Sequence, residues 1–274
     1  SSLKRINPTI EEDTIKEIVK TLRQDYTGTD IVDTNYKLYR QIRNHRKITI
    51  RRNGKEDFDF VKLIDFEHPE NNTFTAVSQM WIQGKVYYRR PDILIFVNGM
   101  PLVFIELKNS IVKVEEAYNK NLKDYIRDIP NLFAFNQICV LSNGLETKLG
   151  AFNATYDYFF EWLKVDSEKE KLDREAILAA DHVKDSSVRY FVDGLLNKKR
   201  LIDYIENFIL FENQRIKIIA KNHQYLGVNN LMESVKNRKE LNGKLGVFWH
   251  TQGSGKSYSM VMFTRKVKRK MQGN

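Results

Sequence analysis

The sequence has little cysteine and no long apolar run, and each shortage excludes a class of protein. Its 274 residues include one cysteine, Cys139, which excludes a disulfide framework and any zinc site built from several cysteines. No apolar run approaches the roughly 20 residues that a membrane-spanning helix requires. Since the N-terminus also lacks the apolar stretch of a signal peptide, we expect the protein to lie in the reducing cytoplasm of a prokaryote and to have no membrane partner.

What the sequence has in quantity is aromatic bulk and positive charge. Sixteen Phe, 13 Tyr and 3 Trp can build a substantial core, and 45 Lys and Arg exceed 35 Asp and Glu, which gives a formal net charge of +10. A basic balance of this kind favours a polyanionic partner such as nucleic acid. The length allows one or two domains.

The first unit, residues 1–164, mixes helical and strand-like patterns and therefore predicts a mixed α/β domain. Apolar residues at helical spacing predict an amphipathic helix near the N-terminus, and a second helix over about 114–127 is stopped by Pro130. The predicted strands include 74–77, 93–97, 102–105 and 138–141, and the turn signals are Asn53-Gly54, Asn98-Gly99 and Asn143-Gly144.

The remainder predicts a charged helical linker, residues 165–200, and a second unit, residues 201–274. This unit has a long helical pattern from Leu201 to Ala220, then a short apolar strand at 245–249, a glycine loop, and a helix from about Lys256. Strand, glycine loop and helix in this order are typical of the start of a RecA-like nucleotide-binding domain. Because one strand and one helix cannot complete such a sheet, we expect a larger protein.

Asp92, Glu106 and Lys108 are predicted to converge at one end of a hairpin centred on Asn98-Gly99. Either a two-residue loop or a slightly longer one places Asp92 within one position of Glu106 on the facing strand. Glu106 and Lys108 point to the same face of the sheet, because side chains alternate along a strand. The pattern therefore predicts two acids and an amine in one place.

Two carboxylates at the end of an apolar strand require a compensating charge. Asp92 and Glu106, with a backbone carbonyl and waters, would give the oxygen ligands that Mg²⁺ prefers. Lys108 would then steady an attacking water or a developing negative charge. A salt bridge between Lys108 and either acid explains the same spacing, so the residues alone leave both interpretations open.

Arg90-Pro91-Asp92 and Phe104-Ile105-Glu106-Leu107-Lys108 resemble the PD-(D/E)xK nuclease signature. The surrounding sequence more closely resembles the N-terminal nuclease domain of the restriction, or motor, subunit of type I restriction enzymes. That family carries Gln-x-x-x-Tyr on the helix after the lysine, where this chain has Asn121 and Tyr125. The resemblance implies a restriction-endonuclease-like fold, a supporting role for Asn121 and Tyr125, and Mg²⁺-dependent cleavage of double-stranded DNA.

Residues 250–257, His-Thr-Gln-Gly-Ser-Gly-Lys-Ser, form a second motif of the P-loop kind. Glycines let backbone amides surround a phosphate, Lys256 would reach the phosphates of ATP, and Ser257 would bind Mg²⁺. His250 replaces the first glycine of the strict pattern, and in this the motif resembles motif I of superfamily 2 helicases. Gln224 occupies a position that resembles the adenine-reading Q motif. The predicted nucleotide-binding residues are Gln224, Thr251, Gly253, Ser254, Gly255, Lys256 and Ser257.

A nuclease motif followed by a helicase motif is the order found in type I motor subunits. The resemblance implies ATP-driven DNA translocation coupled to cleavage in the complete subunit, and assembly with methyltransferase and specificity subunits for restriction of foreign DNA. We expect the chain alone to lack a complete ATPase, since no acidic Walker B pair follows the loop. Two alternatives stay open: a DNA-binding or assembly module, and a P-loop ATPase fragment without cleavage activity.

Overall fold

The computed structural model describes residues 2–52, 54–171, 173–179 and 186–271. Three helices open the chain: α1 (Ser2–Ile6), α2 (Glu12–Leu22) and α3 (Ile31–Asn44). Helix α2 confirms the predicted amphipathic helix, because Ile15, Ile18 and Leu22 are buried while acidic residues occupy its first turn, where the helix dipole favours negative charge. A two-stranded hairpin follows, β1 (Arg46–Arg52) and β2 (Lys55–Val61); in its predicted turn, Asn53 lies outside the described residues.

A six-stranded mixed sheet forms the centre of the first unit, in the strand order β10-β9-β8-β7-β6-β3. Strands β7 and β8 are parallel, and the other neighbouring pairs are antiparallel. The four predicted strands are confirmed. The bounds are β3 Phe74–Ser78, β4 Ile82–Gln83, β5 Tyr88–Arg89, β6 Ile93–Val97, β7 Met100–Leu107, β8 Ile138–Ser142, β9 Thr147–Gly150 and β10 Phe160–Glu161, with β4 and β5 forming a separate small hairpin.

The turn between β6 and β7 confirms the Asn98-Gly99 signal and sets the register of the candidate site. Both residues have positive φ, 50° and 83°, as a two-residue hairpin loop requires. A register shift next to Ile95 then places Ile93 opposite Ile105. Continued by one residue, this register brings Asp92 opposite Glu106, within the single position that the sequence allowed.

The predicted helix over 114–127 is confirmed, but it contains a turn that the sequence did not indicate. It runs as α4 (Val114–Glu116), a π-helical turn (Ala117–Leu122) and α5 (Lys123–Asp128), and Pro130 then opens α6 (Pro130–Phe135). A π-helical turn inserts an extra residue into a helix and is frequent at functional sites. Here it contains Asn121, one of the two predicted supporting residues.

The second part of the chain is mostly helical. Its elements are α7 Arg174–Leu178, α8 Val188–Leu195, α9 Lys198–Asn207, β11 Ile209–Glu212, β12 Ile216–Ile219, α10 Asn222–Lys236 and α11 Lys256–Lys270. Part of the predicted linker, residues 172 and 180–185, lies outside the described residues. In α8, Phe191 and Leu195 are fully buried in a core that includes residues of both units. The domain boundaries at 164 and 201 stay a prediction.

The helical pattern predicted from Leu201 to Ala220 is wrong beyond α9. Residues 209–219 instead form the antiparallel hairpin β11–β12, in which Glu212 pairs with Ile216. Asn213 and Gln214 have positive φ, 48° and 61°, and supply the turn between the strands. The isoleucines of this segment favour a strand because branching at Cβ restricts their side chains in a helix.

The apolar strand predicted at 245–249 is also wrong. The segment forms no strand, and two of its apolar side chains face water, Val247 at 91% and Trp249 at 76% exposure, while Phe248 packs against His250. A strand needs a neighbour for its backbone N–H and C=O groups, and no strand in the described part of the chain pairs with this segment. The following helix is confirmed, since α11 begins at Lys256 as predicted.

Candidate active site and nucleotide-binding loop

The structure brings Asp92, Glu106 and Lys108 together at the end of β7. The Lys108 Nζ donates a hydrogen bond to Glu106 Oε1 at 3.1 Å, and the Glu106 side chain is 3% exposed. Asp92 is held beside them, because its Oδ2 accepts the backbone N–H of Leu107 at 2.8 Å. The convergence that the hairpin register predicted is therefore present in the fold.

The two acids influence each other electrostatically. Burial, reinforced by the negative charge of Asp92, raises the pKa of Glu106 to about 7, although the Lys108 ammonium opposes that shift. The second carboxylate oxygen of Glu106, Oε2, is buried and has no hydrogen-bond partner among the described residues. A buried carboxylate oxygen without a partner is costly, so the site favours a proton or a cation at this position.

The salt bridge that the sequence left open as an alternative is formed, but it does not satisfy the site. The Lys108 ammonium contacts Glu106 Oε1 and leaves Oε2 unpaired. In the part of the chain that the structure describes, no cluster of three or more His, Cys, Asp or Glu side chains could hold a metal ion. A Mg²⁺ site here would rest on two carboxylates, Asp92 and Glu106, with waters and substrate phosphates as the other ligands, and it stays a prediction.

Gln79 is a site residue that the sequence analysis missed. Its side-chain Nε2 donates to Asp92 Oδ1 at 2.7 Å, and its backbone N–H donates to the Asp92 carbonyl at 2.9 Å. Gln79 adopts φ 54°, in the left-handed region that costs energy for a residue with a side chain. No local pattern marks it; only the pairing of β3 with β6, in which Ser78 faces Ile93, brings it to Asp92.

Asn121 and Tyr125 lie together behind the acids. The Tyr125 hydroxyl donates to the Arg90 carbonyl at 3.3 Å, and its ring packs edge-on against Phe104 with centroids 5.6 Å apart. Burial raises the pKa of Tyr125, the negative charge of Glu106 adds to the rise, and a hydrogen bond with Asn121 opposes it. The helix after the lysine thus places Tyr125 near the carboxylates and Asn121 beside Tyr125, and the supporting role of both residues stays a prediction.

The glycine loop before α11 has the backbone that a phosphate-binding loop needs. Gly253 and Gly255 have φ of 77° and 83°, a conformation that glycine adopts without strain. The loop leads into the N-terminus of a 15-residue helix, where backbone N–H groups favour an anion. The Lys256 Nζ donates to the carbonyls of His250 and Thr251 at 2.7 and 3.1 Å, so the ammonium lies over its own loop.

Gln224 contacts this loop directly. Its Nε2 donates to the carbonyls of Ser254 and Gly255 at 3.2 and 3.0 Å, and its Oε1 accepts the backbone N–H of Lys221 at 2.8 Å. The amide therefore ties the start of α10 to the loop. Whether it also reads adenine stays a prediction, as do the contacts predicted for Thr251 and Ser257.

The described helices include none that is long and apolar enough to cross a membrane.

Comparison with known proteins matches residues 1–158 to the family described as type I restriction enzyme R protein N terminus, and residues 223–274 to the SWI2/SNF2 ATPase family. The HindI type I restriction enzyme endonuclease subunit of Haemophilus influenzae is 36% identical over 97% of this chain and 25% of that protein.

A second relative comes from Methanocaldococcus jannaschii and is named as the MjaIXP type I restriction enzyme endonuclease subunit. It is 31% identical over 97% of this chain and 27% of its own length. The SauCOLORF180P endonuclease subunit of Staphylococcus aureus is 24% identical over 77% of the chain and 21% of its own length. The chain thus spans about a quarter of the length of the first two of these relatives.

Proposed function

The chain belongs to the family of type I restriction enzyme R protein N termini, and on this premise we propose that it carries the DNA-cutting site of a type I restriction enzyme. The substrate is double-stranded DNA, and the reaction is hydrolysis of the phosphodiester backbone with Asp92, Glu106 and Lys108 as catalytic residues. Relatives named as endonuclease subunits support the assignment to restriction. The geometry of the three side chains supports the assignment of the site.

One observation carries the proposal: Glu106 is buried beside Asp92 with one carboxylate oxygen unpaired. A protein that needed only stability would gain by replacing such a residue with an apolar one. Asp92 and Glu106 would hold Mg²⁺, which supplies Lewis-acid polarisation of a phosphate oxygen and acidifies a bound water. Lys108 keeps its ammonium at the edge of the site, 23% exposed, where it orients water and stabilises negative charge.

The glycine loop extends the proposal to ATP. We infer that Lys256 leaves the carbonyls of its own loop to bind the phosphates of ATP and that Ser257 helps to hold Mg²⁺. In the full-length subunit, ATP hydrolysis would drive DNA translocation and thereby cleavage, in a cytoplasmic complex with methyltransferase and specificity subunits. Lys256→Ala should then abolish ATP hydrolysis, and unchanged ATP turnover in this variant would remove the motor part of the proposal.

The test is to change the three catalytic residues one at a time in the full-length protein. Asp92→Asn, Glu106→Gln and Lys108→Ala should each lower the rate of DNA cleavage by about 100-fold or more, since each removes a metal ligand or a charged catalytic group. ATP hydrolysis should be unchanged. Glu115→Gln, which alters an exposed acid on α4, is the matched control. Cleavage that survives all three changes would favour a DNA-binding or assembly module instead.

A further inference from the structure

The segment that leads into Asp92 exposes aromatic side chains on a small hairpin. Residues 80–91 contain three aromatic residues, three cations and neither Asp nor Glu. The aromatic side chains face water, with Trp81 63%, Tyr87 56% and Tyr88 59% exposed. Three large exposed aromatic rings so close together indicate an interaction surface.

The pairing of β4 with β5 divides this hairpin into two faces. Ile82 pairs with Arg89 and Gln83 with Tyr88, and side chains of directly opposite residues lie on the same face. Trp81, Tyr88 and Arg90 therefore share the outer face, where the Arg90 guanidinium lies 5.0 Å from the centroid of the Trp81 ring. The outer face combines flat rings with positive charge.

The inner face fixes the hairpin to helix α5. The Arg89 Nε donates to Asp128 Oδ2 at 2.8 Å, and its guanidinium lies 3.5 Å from the Asp124 carboxylate. Gly84 packs so closely that a Cβ there would lie 1.9 Å from the Asp128 carbonyl oxygen. Arg89 is therefore an anchor rather than a phosphate contact, and the outer rings are presented from a fixed base on the helix that carries Tyr125.

We propose that residues 80–90 form a stacking platform for unpaired bases of DNA at the nuclease site. Trp81 and Tyr88, which share the outer face, would stack on bases, and Lys85 and Arg90 would neutralise phosphates of the same strand. Three observations favour DNA over a protein partner: the absence of acidic residues, the pairing of rings with cations, and the position two residues before Asp92. Proteins that bind single strands without sequence preference use this combination. This proposal rests on the proposed function and adds that the DNA bound at the site is locally unpaired.

The test measures DNA binding by the full-length protein in EDTA, so that no metal-dependent cleavage contributes. The probes are a fluorescent duplex with a central unpaired segment and the same duplex fully paired. Trp81→Ala and Tyr88→Ala should each weaken binding of the unpaired probe by about 5- to 100-fold, as expected for loss of one stacked base. The fully paired probe should lose less, which assigns the effect to unpaired bases.

Tyr158→Ala is the matched control, because Tyr158 is 71% exposed and adjoins β10, at the opposite edge of the sheet from β3. This variant should bind both probes as the unaltered protein does. Lys85→Ala and Arg90→Ala should each reduce the slope of log affinity against log salt by about 0.7–0.9. Circular dichroism spectra of all variants should match that of the unaltered protein, since the changed side chains are exposed.

Unchanged affinity of both aromatic variants for the unpaired probe would overturn the proposal. So would a loss that appears only in assembly with other subunits, because it would assign the rings to a protein partner. The result is independent of the cutting activity: Asp92→Asn that still cleaves DNA removes the proposed catalytic site, whereas a Trp81→Ala effect in EDTA would stand without it.

Discussion

Burial disfavours the ionised form of the Glu106 carboxyl group. It lies at the end of an apolar strand, 2% exposed, with one oxygen paired to Lys108 and the other unpaired. Protonation removes the buried charge in the protein without metal, and on the proposed function a divalent cation would compensate it at higher pH. The same residue should therefore report on metal binding through the stability of the whole chain.

The first prediction concerns the pH dependence of stability without metal. Because burial raises the pKa of Glu106 from 4.5 to about 7, the free energy of unfolding should fall as pH rises from about 4.5 to 7 and then level off. A rise of this size corresponds to about 3 kcal/mol at most. Glu106→Gln should remove this dependence, so that the variant is more stable than the unaltered protein at pH 8 but not at pH 4. Denaturant titration in EDTA measures both.

Mg²⁺ provides the second half of that experiment. Added at pH 8, it should raise the stability of the unaltered protein and leave Glu106→Gln unchanged, because the ion would compensate the buried Glu106 carboxylate, which is mostly ionised at this pH. Glu115→Gln, an exposed acid, should behave as the unaltered protein in both conditions. The stability of Glu106→Gln could instead differ from that of the unaltered protein by the same amount at every pH. That result would show that ionisation of Glu106 does not cause the pH dependence.

Gln79 gives the second prediction, as a positioning residue for Asp92. Gln79→Ala should raise the Mg²⁺ concentration for half-maximal cleavage by about 10- to 100-fold, the usual effect of losing a partner that orients a metal ligand. Excess Mg²⁺ should restore the rate, which a merely misfolded variant would not show. Gln24→Ala, a change of an exposed glutamine, is the control.

Gln79→Gly separates the two roles of this residue. Glycine adopts the observed φ of 54° without strain but lacks the amide that contacts Asp92. The glycine variant should therefore be at least as stable as the unaltered protein and yet need as much Mg²⁺ as Gln79→Ala. A Mg²⁺ requirement like that of the unaltered protein would show that the Gln79 side chain does not position Asp92.

At the scale of elements, the sequence predicted what depends on local periodicity and turn chemistry. Residues 102–105 of β7 are all apolar and buried because both faces of the strand are covered there, and Asn98-Gly99 has the positive φ that its residue types favour. These two features were enough to place Asp92 within one position of Glu106. The site acids were therefore predictable from short-range rules.

What escaped prediction depends on partners distant in sequence. Residues 209–219 match a helical spacing of apolar residues, but pairing of β11 with β12 decides the outcome. Residues 245–249 have the composition of a strand and lack a pairing neighbour among the described residues. Gln79 reaches Asp92 only through the register of β3 and β6. A single sequence does not display such long-range pairings.

The glycine loop gives the third prediction, because Gly255 is constrained in two ways. Its φ is 83°, and a Cβ there would lie 2.6 Å from Gln224 Nε2. Gly255→Ala should therefore cost about 1–2 kcal/mol for the left-handed backbone and should also displace the Gln224 amide. Gly243 has φ 76° with open space around it, so Gly243→Ala carries the backbone cost alone.

Thermal unfolding and the binding of a fluorescent ATP analogue to the full-length protein measure the two effects. Both alanine variants should lower the unfolding temperature, and Gly255→Ala alone should weaken nucleotide binding. Equal nucleotide affinity in the two variants would mean that the contact between Gln224 and the loop has no part in nucleotide binding.

At the scale of the whole molecule, a buried ammonium joins the two parts of the chain. Lys217, on β12, donates hydrogen bonds to Asn35 Oδ1, the Asn136 carbonyl and Gln137 Oε1 at 3.0, 2.6 and 2.8 Å. Burial lowers the pKa of Lys217 well below its usual value. None of these three partners is charged, and the Lys217 Nζ also lies 5.9 and 5.6 Å from the ring centroids of Phe152 and Phe211. All three hydrogen bonds can form only when the second unit packs against the first in this one orientation.

The tyrosines reinforce this docking. The Tyr39 hydroxyl, on α3, donates to the carbonyl oxygens of Ile205 and Ile209 at 3.1 and 3.0 Å, and Trp162 packs edge-on against Tyr204 with centroids 5.9 Å apart. Apolar residues of both parts belong to one continuous core. We therefore expect the 274-residue chain to unfold as one cooperative unit rather than as two.

The fourth prediction follows from this joint. Lys217→Met should lower the free energy of unfolding by about 1–3 kcal/mol, since it leaves the three buried acceptors of the first unit without their donor. Because the folded-state pKa of Lys217 is depressed, the unaltered protein should gain stability as pH rises toward 10.5, and the variant should lack that gain. Lys199→Met, an exposed lysine of α9, should change neither quantity.

Two probes follow the unfolding of the variant: tryptophan fluorescence, which includes Trp162 in the shared core, and far-ultraviolet circular dichroism, which follows the helices. If Lys217 fastens one part of the chain to the other, both midpoints should move together and by the same amount. Midpoints that separate in the unaltered protein would mean that the two parts unfold independently. In that event Lys217 would stabilise a local contact and would not couple the site of Asp92 and Glu106 to the glycine loop.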